Sequence, residues 1–330
     1  GRVYLDFMAK VYRLASRYGK RVNAWADIVL EHPDLLGDWP KDIVMLNWDY
    51  VPGAKRLART REIRDAGLDA LVCPGTNSWL SHGCRLEMGM RNIEEAAGIA
   101  LHDQAQGVLN TDWGDFGHRN MLAVSLHNFA YGAAHSWNHR QTQPQGFTQR
   151  FCRDVFAAAA HPMAQPIRTL GAGDEFFKKG HSGSRMLYVS FLKPLTSFLH
   201  PDDTYGQTIN AINADDIAAF ADALKALAWP ALPRGSDPFL TTAIAEFELA
   251  AQQDLAGCSR LLAIKQVHQG KAADTQAMIA QVRQLARQFE RTWLMGNRPS
   301  RLGDNLRLWD LAAREYAGQT LPKTIFTGFR

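Results

Sequence analysis

Cysteine is scarce in this chain. Cys73, Cys84, Cys152 and Cys258 stand far apart and form no CxxC pair, which excludes a zinc ribbon and a disulfide framework. Reduced thiols are therefore expected, and a cytoplasmic setting over a secreted one. No apolar run approaches the roughly 20 residues that cross a bilayer, so no membrane partner is expected. Charge of one sign is missing too: 37 Lys and Arg face 33 Asp and Glu among 330 residues, a net charge of +4. That is too little for a nucleic-acid grip built on bulk charge. The glycines form neither a GxGxxG run nor a P-loop, and no cofactor is expected. With 46% hydrophobic residues, 14 Pro and 26 Gly, the composition is that of a globular protein with a sizeable core.

The opening residues set up an expectation about length. Gly1 leads at once into an amphipathic pattern, Val3, Phe7, Val11, Leu14 and Tyr18, with Gly19 as its stop. A start in mid-pattern suggests the back part of a longer protein, and a missing leader then says nothing about export.

Within the first 140 residues one pattern repeats. Short apolar segments at 21–25, 42–48, 69–73 and 107–111 alternate with helical stretches at 53–66, 86–98 and 119–137. Alternation of this kind predicts βαβ units and a parallel sheet. Each segment runs into aromatic, acidic or small polar residues: Trp25-Ala26-Asp27, Trp48-Asp49-Tyr50, Pro74-Gly75-Thr76-Asn77-Ser78-Trp79, and Asp112-Trp113-Gly114-Asp115. In a (β/α)8 barrel the strands' C-terminal ends build the active site, so these residues are expected to share a pocket. The alternative is that the tryptophans only fill a core. Four strands alone would leave two open edges, which favours the second half of a (β/α)8 TIM barrel over a small open sheet.

Past about residue 150 the alternation stops. Residues 215–229, 238–266, 272–294 and 304–316 read as helices, with Asn213 and Asp304 as caps. The expected organisation is a partial barrel at 1–140, a linker at 141–150 and a mostly α-helical domain at 151–330. Broad apolar faces, Phe239, Ile244, Phe247, Leu261, Leu262 and Ile264 on one helix and Met278, Val282, Leu285, Phe289 and Trp293 on the next, lead to the expectation of a homodimer through this domain.

Aromatic rings flanked by carboxylates suit a carbohydrate. The apolar face of a pyranose stacks on Trp or Tyr while Asp accepts from its hydroxyls. The runs Trp25-Ala26-Asp27-Ile28, Trp48-Asp49-Tyr50, Pro74 to Trp79 and Thr111-Asp112-Trp113-Gly114-Asp115-Phe116-Gly117-His118 resemble the second half of a family 20 glycoside hydrolase, the β-N-acetylhexosaminidases. The tail is similar to the helical domain of their N-acetylglucosaminidase branch. The resemblance implies removal of terminal N-acetyl-β-D-hexosamine residues. In that family the substrate's 2-acetamido carbonyl attacks the anomeric carbon, a Glu protonates the leaving oxygen and the preceding Asp steadies the oxazolinium, an exception to the two-carboxylate scheme. It further implies that Trp25 and Trp48 wall the acetamido pocket, Tyr50 donates to the acetamido carbonyl, Trp113 floors the sugar and Asp115 accepts from the outer hydroxyls. Asp27 and Trp79 are weaker candidates for substrate binding, and with Asp112 and His118 they are better suited to bracing the loops.

The sequence departs from the family at the chemistry itself. No Asp-Glu pair precedes Trp25, and the only Asp-Glu dipeptide, Asp174-Glu175, falls in the helical half, where an exposed pair is expected. No catalytic residue is therefore assigned, and the chain alone is expected to be inactive. A carbohydrate-binding pseudoenzyme and a helical interaction protein remain the alternatives. His127, Tyr131, His135 and His139 recur every four residues. Without HExxH, this row is expected to be surface histidines near a subunit contact rather than a metal site. Asp112, Asp115 and His118 have ligand-like spacing, but no metal is assigned to them.

Overall fold

Val44, Met45 and Leu46 are apolar in succession, a pattern that suits a strand covered on both faces. The computed structural model, which describes residues 1–157, 160–178, 183–200, 202–319 and 321, buries all three in a strand. Four parallel strands, β1 (Asn23–Trp25), β2 (Val44–Trp48), β3 (Asp69–Cys73) and β4 (Gly107–Val108), pair in chain order β1-β2-β3-β4. The fourth segment was expected to run to residue 111. It breaks after Val108 and regains the sheet only at an isolated bridge between Gly75 and Thr111.

Helices α1 (Arg2–Arg17), α2 (Asp27–Leu30), α3 (Thr60–Asp65), α4 (Leu86–His102) and α5 (Leu122–Asn138) are interleaved with these strands. The helix expected at 53–66 is only a 3-10 turn, Leu57–Arg59, leading into α3. Asn47, buried on β2, holds this turn: its Nδ2 donates to Arg56 O, Leu57 O and Thr60 Oγ1 at 2.9–3.4 Å. Gly67, at φ 75°, closes α3, its N–H donating to Arg64 O.

By contacts the chain divides into two units. The first comprises residues 1–77, 87–112 and 128–144, and the second residues 78–86, 113–127 and 145–330. In the first, Ala24, Met45 and Ala70 pack with Leu5, Val29, Leu30 and Ile63, so α1, α2 and α3 cover one face of the sheet; α4 adds Ala96 and Ala100 over Val72. The opposite face carries Val44, Leu46 and Cys73 together with Trp25, Trp48 and Leu71. The stripe read on the opening helix is not its packed side. Val3, Phe7, Leu14 and Tyr18 are exposed, and Leu5 with Tyr4, Met8 and Tyr12 face the sheet instead.

The second unit is helical: α6 (Phe147–Phe156), α7 (Ala160–Gly171), α8 (Gly173–Phe177), α9 (Gly183–Val189), α10 (Thr204–Ala211), α11 (Ala214–Lys225), α12 (Pro238–His268), α13 (Thr275–Gly296) and α14 (Leu302–Tyr316). Residues 322–330 of the expected helical domain lie outside the described residues. Asn213 caps α11 as expected, accepting from Asp215 N–H. Asp304 does not cap the last helix, because α14 begins two residues earlier, after Arg301 at φ 65°. Met278, Val282, Leu285 and Phe289 are buried in a core with Phe191, Leu249, Trp309 and Tyr316. Ile244, Phe247, Leu261 and Ile264 are likewise buried, while Phe239 remains exposed. The apolar faces that argued for a dimer are thus largely covered within the unit.

Candidate functional site

Aromatic side chains gather where β1 and β2 end. Trp25 and Trp48, both half-buried, share one cluster above Val44, Leu46 and Cys73. Tyr50 stacks on Trp48 with ring centroids 5.1 Å apart at 24°, and the Arg56 guanidinium lies 4.3 Å from the Trp48 ring centre. Asp49 sets this pair. Its Oδ1 accepts from Tyr50 N–H at 2.8 Å and Val51 N–H at 3.3 Å, a turn that Asp forms locally with its own backbone. Burial pushes the Cys73 thiol beneath the cluster up to about 12, so it remains a thiol and no nucleophile.

Buried amides tie the strand ends together. Asn92, on α4, donates to Asp49 O at 3.0 Å and accepts from Gly75 N–H at 3.0 Å. Asn77, left-handed at φ 61°, donates to Tyr50 O at 3.3 Å. Thr76 donates to Asp112 Oδ1 at 2.5 Å, and Asn128 donates to Thr76 O at 2.8 Å. Asp112 therefore braces the ends of the third and fourth segments. Asp27 is not brought to the aromatic cluster: it opens α2 beside Tyr4, whose hydroxyl pKa is raised by burial and then by Asp27.

The row of histidines is not on the surface. Tyr131 and His135 are buried, and Tyr131 donates to Glu94 Oε2 at 3.5 Å. The His135 and His139 Nδ1 atoms lie 2.9 Å apart, and burial, then the neighbouring His139, lowers the His135 pKa to about 4. His127 is buried in the second unit with its ring edge-on to Phe147 and Phe151. The expectation of exposed histidines fails because α5 packs on this side. Among the described residues no group of three His, Cys, Asp or Glu is arranged to hold a metal ion.

The remaining candidates lie in the second unit. Trp79 is 5% exposed, with the Arg85 guanidinium 5.5 Å from its ring centre and Arg85 Nη1 donating to its carbonyl. Burial, with Arg185 nearby, lowers the Arg85 pKa to about 10, and Asp174 and Asp115 oppose that shift. Trp113 is half-buried and Asp115 exposed. Gly114 between them allows a close approach, since a Cβ there would sit 2.6 Å from His118 Nδ1. The Asp-Glu pair is not wholly exposed as expected: Asp174 is buried and its Oδ1 accepts from Ser184 N–H at 2.6 Å, leaving only Glu175 outside.

A buried polar group in this unit carries no signal in the local sequence. Tyr188, on α9, is fully buried against Arg119 and His82, and His82 Nδ1 lies 2.9 Å from Asp254 Oδ1 on α12. Burial, then the Arg119 charge, holds the His82 pKa well below the usual histidine range, and burial holds that of Asp254 well above the usual carboxylate range. These residues are up to 172 positions apart, and no local spacing signals them. Compared with models of known families and with curated proteins, the chain matches none.

Proposed function

We propose that this chain is the sugar-binding part of a β-N-acetylhexosaminidase of glycoside hydrolase family 20, built on the second half of a (β/α)8 barrel. The observation that carries this reading is the group Trp25, Trp48 and Tyr50 at the ends of adjacent parallel strands. The sheet is consistent with it. Its strands run in chain order without the reversal that marks a doubly wound sheet, and the helices α1 to α4 cover one face. The two indole rings offer an apolar wall to an acetamido methyl group, and the Tyr50 hydroxyl is the donor for its carbonyl oxygen. Orienting that oxygen matters because it is the nucleophile of the substrate-assisted reaction. No residue of this chain is assigned to protonating the leaving oxygen; Asp174, of the one Asp-Glu dipeptide, is buried and accepts from the Ser184 N–H.

The test is sugar binding by the chain itself. Titration with N-acetylglucosamine should change tryptophan fluorescence, and glucose, which lacks the acetamido group, should bind at least about tenfold more weakly, corresponding to ~1.4 kcal/mol. Trp48→Ala should cost a similar factor or more, and Tyr50→Phe should weaken N-acetylglucosamine while leaving glucose unchanged. Equal affinity for both sugars would reject the acetamido pocket. Hydrolysis of aryl N-acetyl-β-glucosaminides by a longer chain carrying an Asp-Glu pair, and its absence here, separates an enzyme from a pseudoenzyme.

A further inference from the structure

Short side chains leave space between the last two helices. Ala286 on α13, Ala313 on α14 and Ala317 just beyond it line a groove of about 360 Å3, all of it within the helical unit. That volume is at the small end for ligand sites. Guanidinium groups surround the groove. Arg283 and Arg287, four residues apart and so on one face of α13, both line it, and neither makes a hydrogen bond or an ion pair among the described residues. Arg314 on α14 is engaged: its Nε donates to Gln319 Oε1 at 2.8 Å and its Nη1 lies 3.8 Å from Asp310 Oδ2. Glu290, three residues after Arg287, is then the one lining carboxylate outside an ion pair among the described residues. Two free cations thus face one free anion.

The inner wall adds a donor and more positive charge. Trp309 lines the groove, is only 1% exposed, and has an indole N–H that reaches no acceptor among the described residues. A buried indole N–H ordinarily has a partner. The Arg119 guanidinium lies 5.5 Å from the Trp309 ring centre, is fully buried, and forms no ion pair among the described residues. A buried charge is little screened by salt. Arg119 therefore adds to the positive potential at this wall.

We propose that this groove between α13 and α14 binds a small organic carboxylate with an apolar body. Arg283 and Arg287 take the carboxylate oxygens, to which a guanidinium fork is matched in geometry, and the Trp309 indole N–H is a further donor. Ala286, Leu306 and Ala313 receive the apolar body. Glu290 limits the charge of the ligand: a second negative group would meet its carboxylate, so the class is monoanionic. The site is built wholly within the helical unit and does not rest on the sugar-binding reading above.

The experiment titrates the full chain, labelled with nitrogen-15, with benzoate, and with benzamide as a neutral compound of the same shape. Benzoate should shift the Trp309 indole resonance, identified as the one missing from Trp309→Phe, with a Kd of about 1 mM or tighter, and benzamide should bind at least about tenfold more weakly. Arg283 and Arg287 are exposed, and glutamine keeps the helix, so both can be replaced without disturbing the fold. Arg283→Gln and Arg287→Gln should each weaken benzoate about threefold, and the double variant about tenfold. Arg307→Gln removes an exposed arginine of α14 that does not line the groove, and it should leave the affinity unchanged. Glu290→Gln should tighten binding. No response to benzoate up to about 20 mM, roughly twentyfold above the expected Kd, would overturn the proposal. So would equal affinity for benzamide, or an Arg307→Gln loss as large as that of Arg287→Gln, which would reduce the effect to bulk charge. Should Trp309→Phe not fold, calorimetry on the arginine variants makes the same comparison without it.

Discussion

His135 is a base placed where it has little water to help carry a proton. It is 3% exposed, and its Nδ1 faces His139 Nδ1 at 2.9 Å, a contact that needs one ring to donate and the other to accept. Protonating both would set two donors and two charges against each other. Burial and the neighbouring ring bring its pKa down to about 4. A folded-state value below the unfolded one means that the associated stability is fully present above about pH 6.5 and is lost as pH falls toward 4. At ~1.4 kcal/mol per pH unit, the loss across that window is roughly 3 kcal/mol. His135→Gln should therefore flatten the stability profile between pH 6.5 and 4 relative to wild type. Urea midpoints at pH 7, 5.5 and 4 measure it, and parallel profiles for the two proteins would show that His135 does not ionise on unfolding.

At the scale of elements, what could be read from the sequence was what local pattern encodes. β3 falls on its expected residues, since Ala70, Val72 and Cys73 are buried between turn-forming neighbours, and α12 falls within two residues of its expected end. The short helices between 147 and 211 were not individually legible, because their glycines and Pro166 interrupt any helical period. The aromatic ends of β1 and β2 were visible in sequence; the buried group around Tyr188 and the Arg260 knot, made of residues far apart, were not. Arg260, buried on α12, donates to Ser190 O, Lys193 O, Tyr316 Oη and Glu315 Oε2 at 2.5–2.9 Å, and Glu315 Oε1 accepts from Leu195 N–H. One guanidinium thereby joins α12, α14 and the segment after α9. Removing one partner of a buried pair strands the other, at a cost of about 3–5 kcal/mol. Arg260→Met should lose that much by urea denaturation, and Glu315→Gln, which still accepts, distinctly less. Equal losses would show that the charge of Glu315, and not the span of Arg260, holds the knot.

At the scale of the whole molecule, α5 is divided between the two contact units, with residues 122–127 in the second and 128–138 in the first. Its two parts are secured by different partners. Glu246 on α12 accepts from Ala123 N–H at 2.7 Å, closing an amide that the helix itself leaves open, and Ser125 pairs with Ser78 at 2.7 Å. Beyond that point Asn128 bonds Thr76 O, Asn110 bonds Asn128 O and Tyr131 reaches Glu94. Stability within a protein is distributed over such locally cooperative groups, and exchange rates report which group an amide opens with. Arg260→Met weakens only the second group directly. Native-state hydrogen exchange of that variant should quicken at α12 and at 122–127 together, while 128–138 keeps pace with β2 and β3 at their wild-type rates. If α5 responds instead along its whole length, the helix opens as one body and the division by contacts is not a division of stability.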